Sequence, residues 1–222
     1  MSDADEGRQF ASSPCAMNAL ENDWEQVKAW RSERRKGLLK QRLSVDADVR
    51  RNLSREIVAR LAELIDARTY PTLGFYSPIR GEIDVRELAR MHLAAGGQTA
   101  LPVIVTKHAP VEFWQWHPGM RTARGVFDIP VPRERHLTNP DVLIVPLLGF
   151  DRAYFRLGYG GGYYDRTLAA AKRRPLAIGV ASADAELHTI YPQPHDIPMD
   201  MIVTERFVLR ADAVRRQGPP PE

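Results

Sequence analysis

The stretch DVLIVPLLGFDRAYFRLGYGGGYYDRTLAAAKRRPLAIGVAS (141–182) contains the pattern that decides the fold. It begins and ends with runs of mainly apolar residues, and these runs predict strands. Between them, YDRTLAAAKRR (164–174) is rich in strong helix formers and predicts a helix. A strand, a glycine-rich turn, a helix and another strand form a βαβ unit, so the two strands are expected to be parallel.

The remaining chain continues this alternation. Two helices are predicted near the start, at 24–43 and 46–67, separated near Ser44 with Asp46 as part of the cap. Further strands are predicted at 72–77, 98–105, 111–116 and 200–205, with a helix at 83–95 and a shorter segment at 185–190. This order predicts an α/β fold, a Rossmann-like three-layer α/β/α sandwich with a mostly parallel central sheet.

Length and composition indicate how the chain is organised. At 222 residues it suits one domain, predicted at 23–212, with a disordered N-terminal extension at 1–22 and a flexible tail at 213–222. The lone Cys15 excludes an intrachain disulfide and favours the cytoplasm. The first residues lack the apolar region of a secretory signal, and no apolar run is long enough for a membrane span.

Positive charge is concentrated in one region. Residues 24–60 hold eleven Lys and Arg against five Asp and Glu, whereas the whole chain has a net charge of only +3. Such a segment suits a polyanion, either nucleic acid or a smaller one such as a nucleotide or a polyglutamylated substrate. A solvated helix face explains the same charge, and no nucleic-acid-binding motif accompanies it.

The glycine-rich turn is the strongest functional signal. Gly158 and the run Gly160 to Gly162 allow backbone amides to converge at the start of a helix, where phosphate binds readily. Arg156 and Arg166 flank the turn, and either can bind phosphate oxygens in a bidentate way. The motif is neither a Walker A loop nor a dinucleotide fingerprint, and a tight turn without a ligand explains the glycines equally well.

Three residues after these glycines can add further chemistry. Asp165 lies in the first helical turn, where it suits the helix dipole but can also hold Mg²⁺ against phosphates. Tyr163 and Tyr164 can stack on a flat ring, although core packing is the commoner role of such aromatics.

The segment PLLGFDRAYFRLGYGGGYYDRTL (146–168) resembles the signature of the 5-formyltetrahydrofolate cyclo-ligase family, also called methenyltetrahydrofolate synthetase. GEID (81–84), IPVP (129–132) and PHDIPMDMIVTE (194–205) follow the family's order at plausible spacing, so the resemblance covers roughly residues 28–205. It implies ATP-dependent ring closure of 5-formyltetrahydrofolate to 5,10-methenyltetrahydrofolate, with Mg²⁺ as cofactor and ADP and phosphate as the other products.

The resemblance also implies residue roles. ATP binding is assigned to Arg31, Arg35, Arg156, Leu157, Gly158, Tyr159, Gly160, Gly161, Gly162, Tyr163 and Tyr164. Substrate binding is assigned to Ile79, Glu82, Asp84, Trp114 and Tyr163, with Phe113, Trp116 and Phe127 as further apolar walls. The catalytic residues are Arg156, Tyr163 and Asp165, and the metal ligands are Asp165 and Asp200.

Several of these roles have structural alternatives. Asp200 can equally be a cap or an ion-pair partner, and Glu82 or Asp84 can equally cap the helix that follows them. Crowding by other basic residues leaves the N-terminal ATP contacts open. For the whole protein, a non-catalytic folate- or nucleotide-binding paralogue and a basic nucleic-acid-binding protein are the alternatives. The cyclo-ligase interpretation predicts small-molecule partners, no nucleic acid or membrane, and a monomer rather than an oligomer.

Overall fold

The computed structural model describes residues 23–211, so the predicted extensions at 1–22 and 213–222 lie outside it. Within this range the α-helices are α1 (Trp24–Ser44), α2 (Ala47–Leu64), α3 (Arg86–Ala94) and α4 (Tyr163–Ala170). The strands are β1 (Thr72–Gly74), β2 (Gln98–Val103), β3 (Glu112–Trp116), β4 (Thr122–Arg124), β5 (Pro130–Pro132), β6 (Val142–Pro146), β7 (Gly149–Phe150), β8 (Arg156–Leu157), β9 (Leu176–Val180), β10 (Met201–Val203) and β11 (Val208–Arg210).

Within the described range, seven strands form the main sheet in the order β11-β10-β9-β6-β1-β2-β3. The five inner strands are parallel, and the edge strands β3 and β11 are antiparallel to their neighbours. The predicted fold class is confirmed. Strand β11 and the two small hairpins, β4–β5 and β7–β8, were not predicted.

Helices cover both faces of this sheet. On one face α2 and α3 pack against alternate residues of the inner strands, including Leu73, Ile144 and Ile178. On the other face Leu168 of α4 packs in a cluster that includes Leu143. Since each parallel strand is buried on both faces, its sequence is a continuous apolar run rather than an alternating one.

The helix boundaries follow from local capping. Asp46 begins α2 as predicted, because its carboxylate accepts hydrogen bonds from the Asp48 and Val49 amides. Ser44 instead ends α1, and its hydroxyl donates to the Gln41 carbonyl. Helix α3 begins at Arg86 rather than at residue 83. No helix within 23–211 is both long and apolar enough to cross a membrane.

The sheet contains a switch point between β1 and β6. From β1 the chain proceeds to β2 on one side, whereas from β6 it proceeds to β9 and β10 on the other. Ligands of such sheets bind in the crevice beyond the carboxyl ends of the strands at this point. Helix α1 reaches this edge, since Arg42 binds the Leu147 carbonyl just after β6. The fold therefore brings α1 and the loops after β1 and β6 around one crevice.

Candidate nucleotide and substrate site

The glycine turn between β8 and α4 has the backbone conformation that its sequence predicts. Gly160 and Gly162 have φ angles of +91° and +64°, values that side-chain-bearing residues rarely adopt. Gly162 precedes α4 directly, and no side chain in the described part of the protein caps that helix. The first amides of α4 thus lack a side-chain acceptor, which leaves them available to an anion.

Two arginines hold this glycine loop (158–162) from opposite ends. Arg35 of α1 donates from Nε to the Gly158 carbonyl at 2.8 Å, and Arg166 donates from Nη2 to the Gly161 carbonyl at 2.5 Å. Burial, followed by the charge of Arg31, lowers the pKa of Arg35. The Nε of Arg166 is buried and has no hydrogen-bond partner among the described residues. Two guanidinium groups therefore border the glycine loop, and Nε of Arg166 is an N–H donor without an acceptor among the described residues.

Arg156 and Asp165 flank the glycine loop, with Arg156 in β8 before it and Asp165 in α4 after it. Nη2 of Arg156 is 2.6 Å from Oδ1 of Asp165, and both side chains are largely buried. Nη1 of Arg156 donates to the Ile197 carbonyl, and Oδ1 of Asp165 accepts from the Ile197 amide. The structure thus brings together these two predicted catalytic residues and links them to the segment before β10.

Glu82 is the acidic residue of the crevice. It is 7% exposed, and its Oε2 accepts a hydrogen bond from the Ile79 amide at 2.9 Å. Burial raises the pKa of Glu82, opposed by that hydrogen bond and by the charge of Arg42. Burial, and then the charge of Glu82, raises the pKa of Tyr159 to about 12. The guanidinium of Arg80, two residues before Glu82, lies 5.8 Å from the centre of the Tyr159 ring. The turn that carries Glu82 is therefore beside the glycine loop, although 77 positions separate Glu82 from Tyr159 in the sequence.

A cavity of about 70 Å³ lies beside Glu82, between α1 and the ends of the strands. Its lining includes Arg42, Tyr76, Glu82, Leu147, Ala181 and Ser182, from α1 and from the ends of β1, β6 and β9. A complete small-molecule site occupies about 300 Å³ or more, so this cavity can enclose only part of a ligand. Its acidic wall and its apolar walls suit the edge of a flat, hydrogen-bonding ring.

Sequence analysis missed Arg42, which the structure places in this crevice. Arg35 follows Arg31 by four residues and Arg42 follows Arg35 by seven, so all three lie on one face of α1. That spacing was the available signal. Other basic residues of α1 form exposed ion pairs instead, such as Lys28 with Glu25.

Two further residues predicted to bind ligands have their polar groups occupied within the protein. Arg31 is buried, and it donates to the Ile190 and Tyr191 carbonyls and to the Asp196 carboxylate. Asp84 accepts from the amide and the guanidinium of Arg86, the first residue of α3, although Val85 rather than Asp84 is the N-cap of that helix. The structure thus explains both residues without a ligand, and their binding roles stay predictions.

Trp114 and Asp200 lie away from the crevice. Trp114 is on the edge strand β3, two strands from β1, and its indole donates to Glu112. Asp200 precedes β10, at the amino ends of the strands, where Oδ2 accepts from the Ala177 amide and Oδ1 pairs with Arg174. The structure therefore does not bring these two residues to the glycine loop.

The remaining aromatic residues occupy different environments. Tyr163 is half-buried beneath the Arg166 guanidinium, and Tyr164 packs partly against the core. Phe113 is buried in the core, so it provides no open wall. Phe127 is 68% exposed at the tip of the β4–β5 hairpin, with a φ of +60°.

A mostly parallel sheet with helices on both faces and an arginine-bordered glycine loop near its switch point defines a doubly wound α/β protein. More specifically, the chain belongs to the 5-formyltetrahydrofolate cyclo-ligase family, whose model matches residues 27–205.

Individual relatives agree with this family. The chain is 32% identical over 185 residues to a 5-formyltetrahydrofolate cyclo-ligase of Mycolicibacterium smegmatis, covering 79% of this chain and 94% of the relative. It is 31% identical over 149 residues to the Escherichia coli K12 protein of the same name, covering 61% and 82%. An NMR structure of 5,10-methenyltetrahydrofolate synthetase from Aquifex aeolicus matches with a TM-score of 0.72 and 31% identity, covering 86% of this chain and 96% of that chain.

Proposed function

We propose that the protein converts 5-formyltetrahydrofolate and ATP into 5,10-methenyltetrahydrofolate, ADP and phosphate. The observation that carries this proposal is the position of the glycine loop beside the turn that holds the buried carboxylate of Glu82, since Arg42 contacts both Tyr159 and Gly81. One side of the crevice can hold phosphates, and the other can accept hydrogen bonds from a ring. Ring closure by phosphorylation requires the γ-phosphate of ATP to meet the formyl oxygen of the folate.

The proposed reaction has two steps. The formyl oxygen attacks the γ-phosphorus of ATP, and the bond to ADP breaks. The N10 amine of the same folate then attacks the activated carbon, the carbon–oxygen bond breaks with loss of phosphate, and N10 loses its proton. The second step is intramolecular, so the protein need not supply a nucleophile.

The chain's main contribution to such chemistry is positioning and charge neutralisation. We assign contacts with the phosphates to the glycine loop amides and to Arg35 and Arg166. Arg166 supports this role with its buried Nε, which has no hydrogen-bond partner within residues 23–211. Arg156 then stabilises the loop indirectly, through its ion pair with Asp165 and its hydrogen bond to the Ile197 carbonyl.

Glu82 is proposed to receive the pterin. Glu82 has no ion-pair partner among the described residues. Its buried carboxylate therefore favours N–H donors from a ligand, because hydrogen bonds from the ligand replace the water that the carboxylate lost on burial. Oε2 already accepts from the Ile79 amide, and each carboxylate oxygen can accept more than one hydrogen bond. Ile79 acts in this arrangement through its backbone rather than through its side chain.

The residues present fit Mg²⁺ at one carboxylate. Oδ1 of Asp165 contacts Arg156 and the Ile197 amide, whereas Oδ2 accepts no hydrogen bond among the described residues. Mg²⁺ is commonly held by one or two carboxylates together with substrate phosphates and water. We therefore place the metal at Asp165 and interpret Asp200 as a structural residue. Bound there, Mg²⁺ would neutralise negative charge on the phosphates.

The internal contacts of α1 do not favour a nucleic-acid-binding function. Arg31, Arg35 and Arg42 each bind carbonyl groups of the protein, so much of the regional positive charge faces inward. We therefore retain small molecules as the expected partners, with a monomer in the cytoplasm as the expected state.

The testing experiment is near-ultraviolet absorbance of purified protein with 5-formyltetrahydrofolate and Mg²⁺, with and without ATP. We expect methenyl product only with ATP, and little of it with Asp165→Ala. If the folded protein binds nucleotide but forms no product, the catalytic proposal is wrong and a binding paralogue remains.

A further inference from the structure

Arg42 makes contacts that none of the proposed chemical steps uses. It lies on α1, and its Nη2 donates to the carbonyl of Leu147, immediately beyond β6. Its Nη1 donates to the hydroxyl of Tyr159 at 3.3 Å. One guanidinium thus joins the end of a central strand to a side chain of the glycine loop.

The same side chain also supports the turn that carries Glu82. Gly81 has a φ of +74°, and a Cβ atom built on it would lie 3.3 Å from Cγ of Arg42. The turn therefore packs directly on the aliphatic part of Arg42. The charge of Arg42 acts on both Glu82 and Tyr159. Arg42 consequently contacts three segments that come from separate parts of the sequence.

We propose that Arg42 is a positioning residue for the ring closure, holding the Tyr159 side of the glycine loop against β6 and beside Glu82. This role rests on the proposed function, because it concerns the distance between bound phosphates and bound folate. Phosphoryl transfer depends on such distances, and a displacement of about 1 Å can cost about 100-fold in rate.

The geometry requires a guanidinium rather than any cation. Arg42 serves two acceptors with two different nitrogens, held in one rigid plane. A lysine at this position has one nitrogen on a flexible stem, so it can satisfy the Leu147 carbonyl or the Tyr159 hydroxyl with far less fixed geometry. Arg42→Lys should therefore retain charge near Glu82 but lose much of the positioning.

The test compares Arg42→Gln, Arg42→Lys and Tyr159→Phe with Lys40→Gln, a charge-removing control on the exposed face of α1. We expect kcat to fall about tenfold or more in Arg42→Gln, with a smaller loss in Arg42→Lys. Saturating substrate should not restore kcat. Lys40→Gln should match the wild type.

A double-mutant cycle separates positioning from general destabilisation. If Arg42 acts through Tyr159, Arg42→Gln should have a smaller effect on kcat when Tyr159 is already phenylalanine. Fully additive effects would overturn the proposal, as would unchanged kcat in Arg42→Gln. If Arg42→Gln does not fold, Arg42→Lys and Tyr159→Phe provide the same cycle.

Hydrogen exchange of the glycine loop gives a readout that does not depend on activity. We expect amides of 157–163 to exchange faster in Arg42→Gln than in Lys40→Gln, because the loop has lost one anchor. Faster exchange with an inactive wild type would overturn the proposed function while supporting the anchoring. Unchanged exchange would overturn the role of Arg42, whatever the activity.

Discussion

Arg156 and Asp165 hold the same residue by its two backbone groups. Arg156 donates to the carbonyl of Ile197 at 2.7 Å, and Asp165 accepts from its amide at 3.0 Å. The two side chains also form an ion pair with a separation of 2.6 Å. Asp165 therefore has a structural function independent of any metal, and an experiment on the metal must separate the two.

Comparing Asp165→Asn with Asp165→Ala provides this separation. Asparagine retains an oxygen for the Ile197 amide, whereas alanine leaves that amide unpaired. We expect Asp165→Ala to be less stable than Asp165→Asn by about 1 kcal/mol in urea unfolding. If Asp165 holds Mg²⁺, both variants should lose most of their activity, including at high Mg²⁺ concentration. An Asp165→Asn enzyme with normal Mg²⁺ dependence would contradict the metal assignment.

Asp200→Asn tests whether the second predicted ligand binds metal. Its Oδ2 accepts from the Ala177 amide at 2.8 Å, and asparagine can preserve that hydrogen bond. The ion pair with Arg174 is partly exposed, so its loss should cost at most about 1 kcal/mol. We expect the Mg²⁺ concentration for half-maximal activity to be unchanged. A large increase in that concentration would show that Asp200 does bind the metal.

Glu82→Gln should make the protein more stable relative to wild type as pH rises. Burial raises the pKa of Glu82 in the folded state, so folding favours its protonated form. The contribution of the Glu82 carboxyl group to the free energy of unfolding is complete below its ordinary pKa of 4.5. This contribution is lost as pH rises through the raised pKa of the folded state. Glutamine does not titrate and still offers an oxygen to the Ile79 amide.

Urea unfolding of both proteins from pH 4 to pH 8 measures this effect. The difference in unfolding free energy should increasingly favour Glu82→Gln as pH rises above 4.5. A difference independent of pH would refute the raised pKa. Activity should fall in the variant, because the proposed acceptor of pterin N–H groups becomes a mixed donor and acceptor.

The fold could be predicted from sequence because its signals are local. Apolar runs such as 142–146 and the helical pattern of 47–64 each identify their own element. The β4–β5 hairpin carries no such signal, since the described side chains of β4 are all exposed. A short exposed hairpin lacks the apolar alternation that identifies a half-buried strand.

The site could be predicted only in part. All residues of the glycine loop are adjacent in the sequence, so the motif could be recognised without the structure. Arg42 belongs to a helix with many basic residues, and only the fold shows which of them face the crevice. The position of Asp200 away from the glycine loop could have been predicted. Asp200 precedes the strand at 201–203, whereas ligands bind at the carboxyl ends of parallel strands.

Three glycine substitutions distinguish a phosphate cradle from a tight turn. Alanine at Gly162 meets a φ of +64° and lies 2.8 Å from Nη1 of Arg166, so it should destabilise the fold by about 1–2 kcal/mol. Alanine at Gly158 contacts nothing within 4 Å and should leave stability unchanged. If phosphates pack against this backbone, Gly158→Ala should still raise KM for ATP several-fold.

Gly37→Ala is the matched control for these variants. It lies in α1 with open space around its Cα, so alanine should stabilise the helix by about 0.5–1 kcal/mol without affecting KM for ATP. Thermal unfolding and initial rates at varied ATP concentrations measure both quantities. A normal KM for ATP in Gly158→Ala would favour the tight-turn interpretation over the phosphate cradle.

Phe127 combines two unfavourable features at the tip of the β4–β5 hairpin. It has a φ of +60°, which is unfavourable for a bulky residue, and 68% of its surface is exposed. Ser77, in the segment between β1 and Glu82, donates a hydrogen bond to the Pro130 carbonyl at the loop end of the hairpin. We expect the ring to pack on bound folate, which would offset both costs.

Phe127→Gly and Phe127→Ala test this role. Both should raise KM for 5-formyltetrahydrofolate several-fold while KM for ATP stays constant, because no hydrogen bond joins the hairpin to the glycine loop among the described residues. Glycine accepts the positive φ, so Phe127→Gly should be at least as stable as Phe127→Ala in thermal unfolding. Unchanged folate KM in both variants would show that the exposed ring is not a substrate wall.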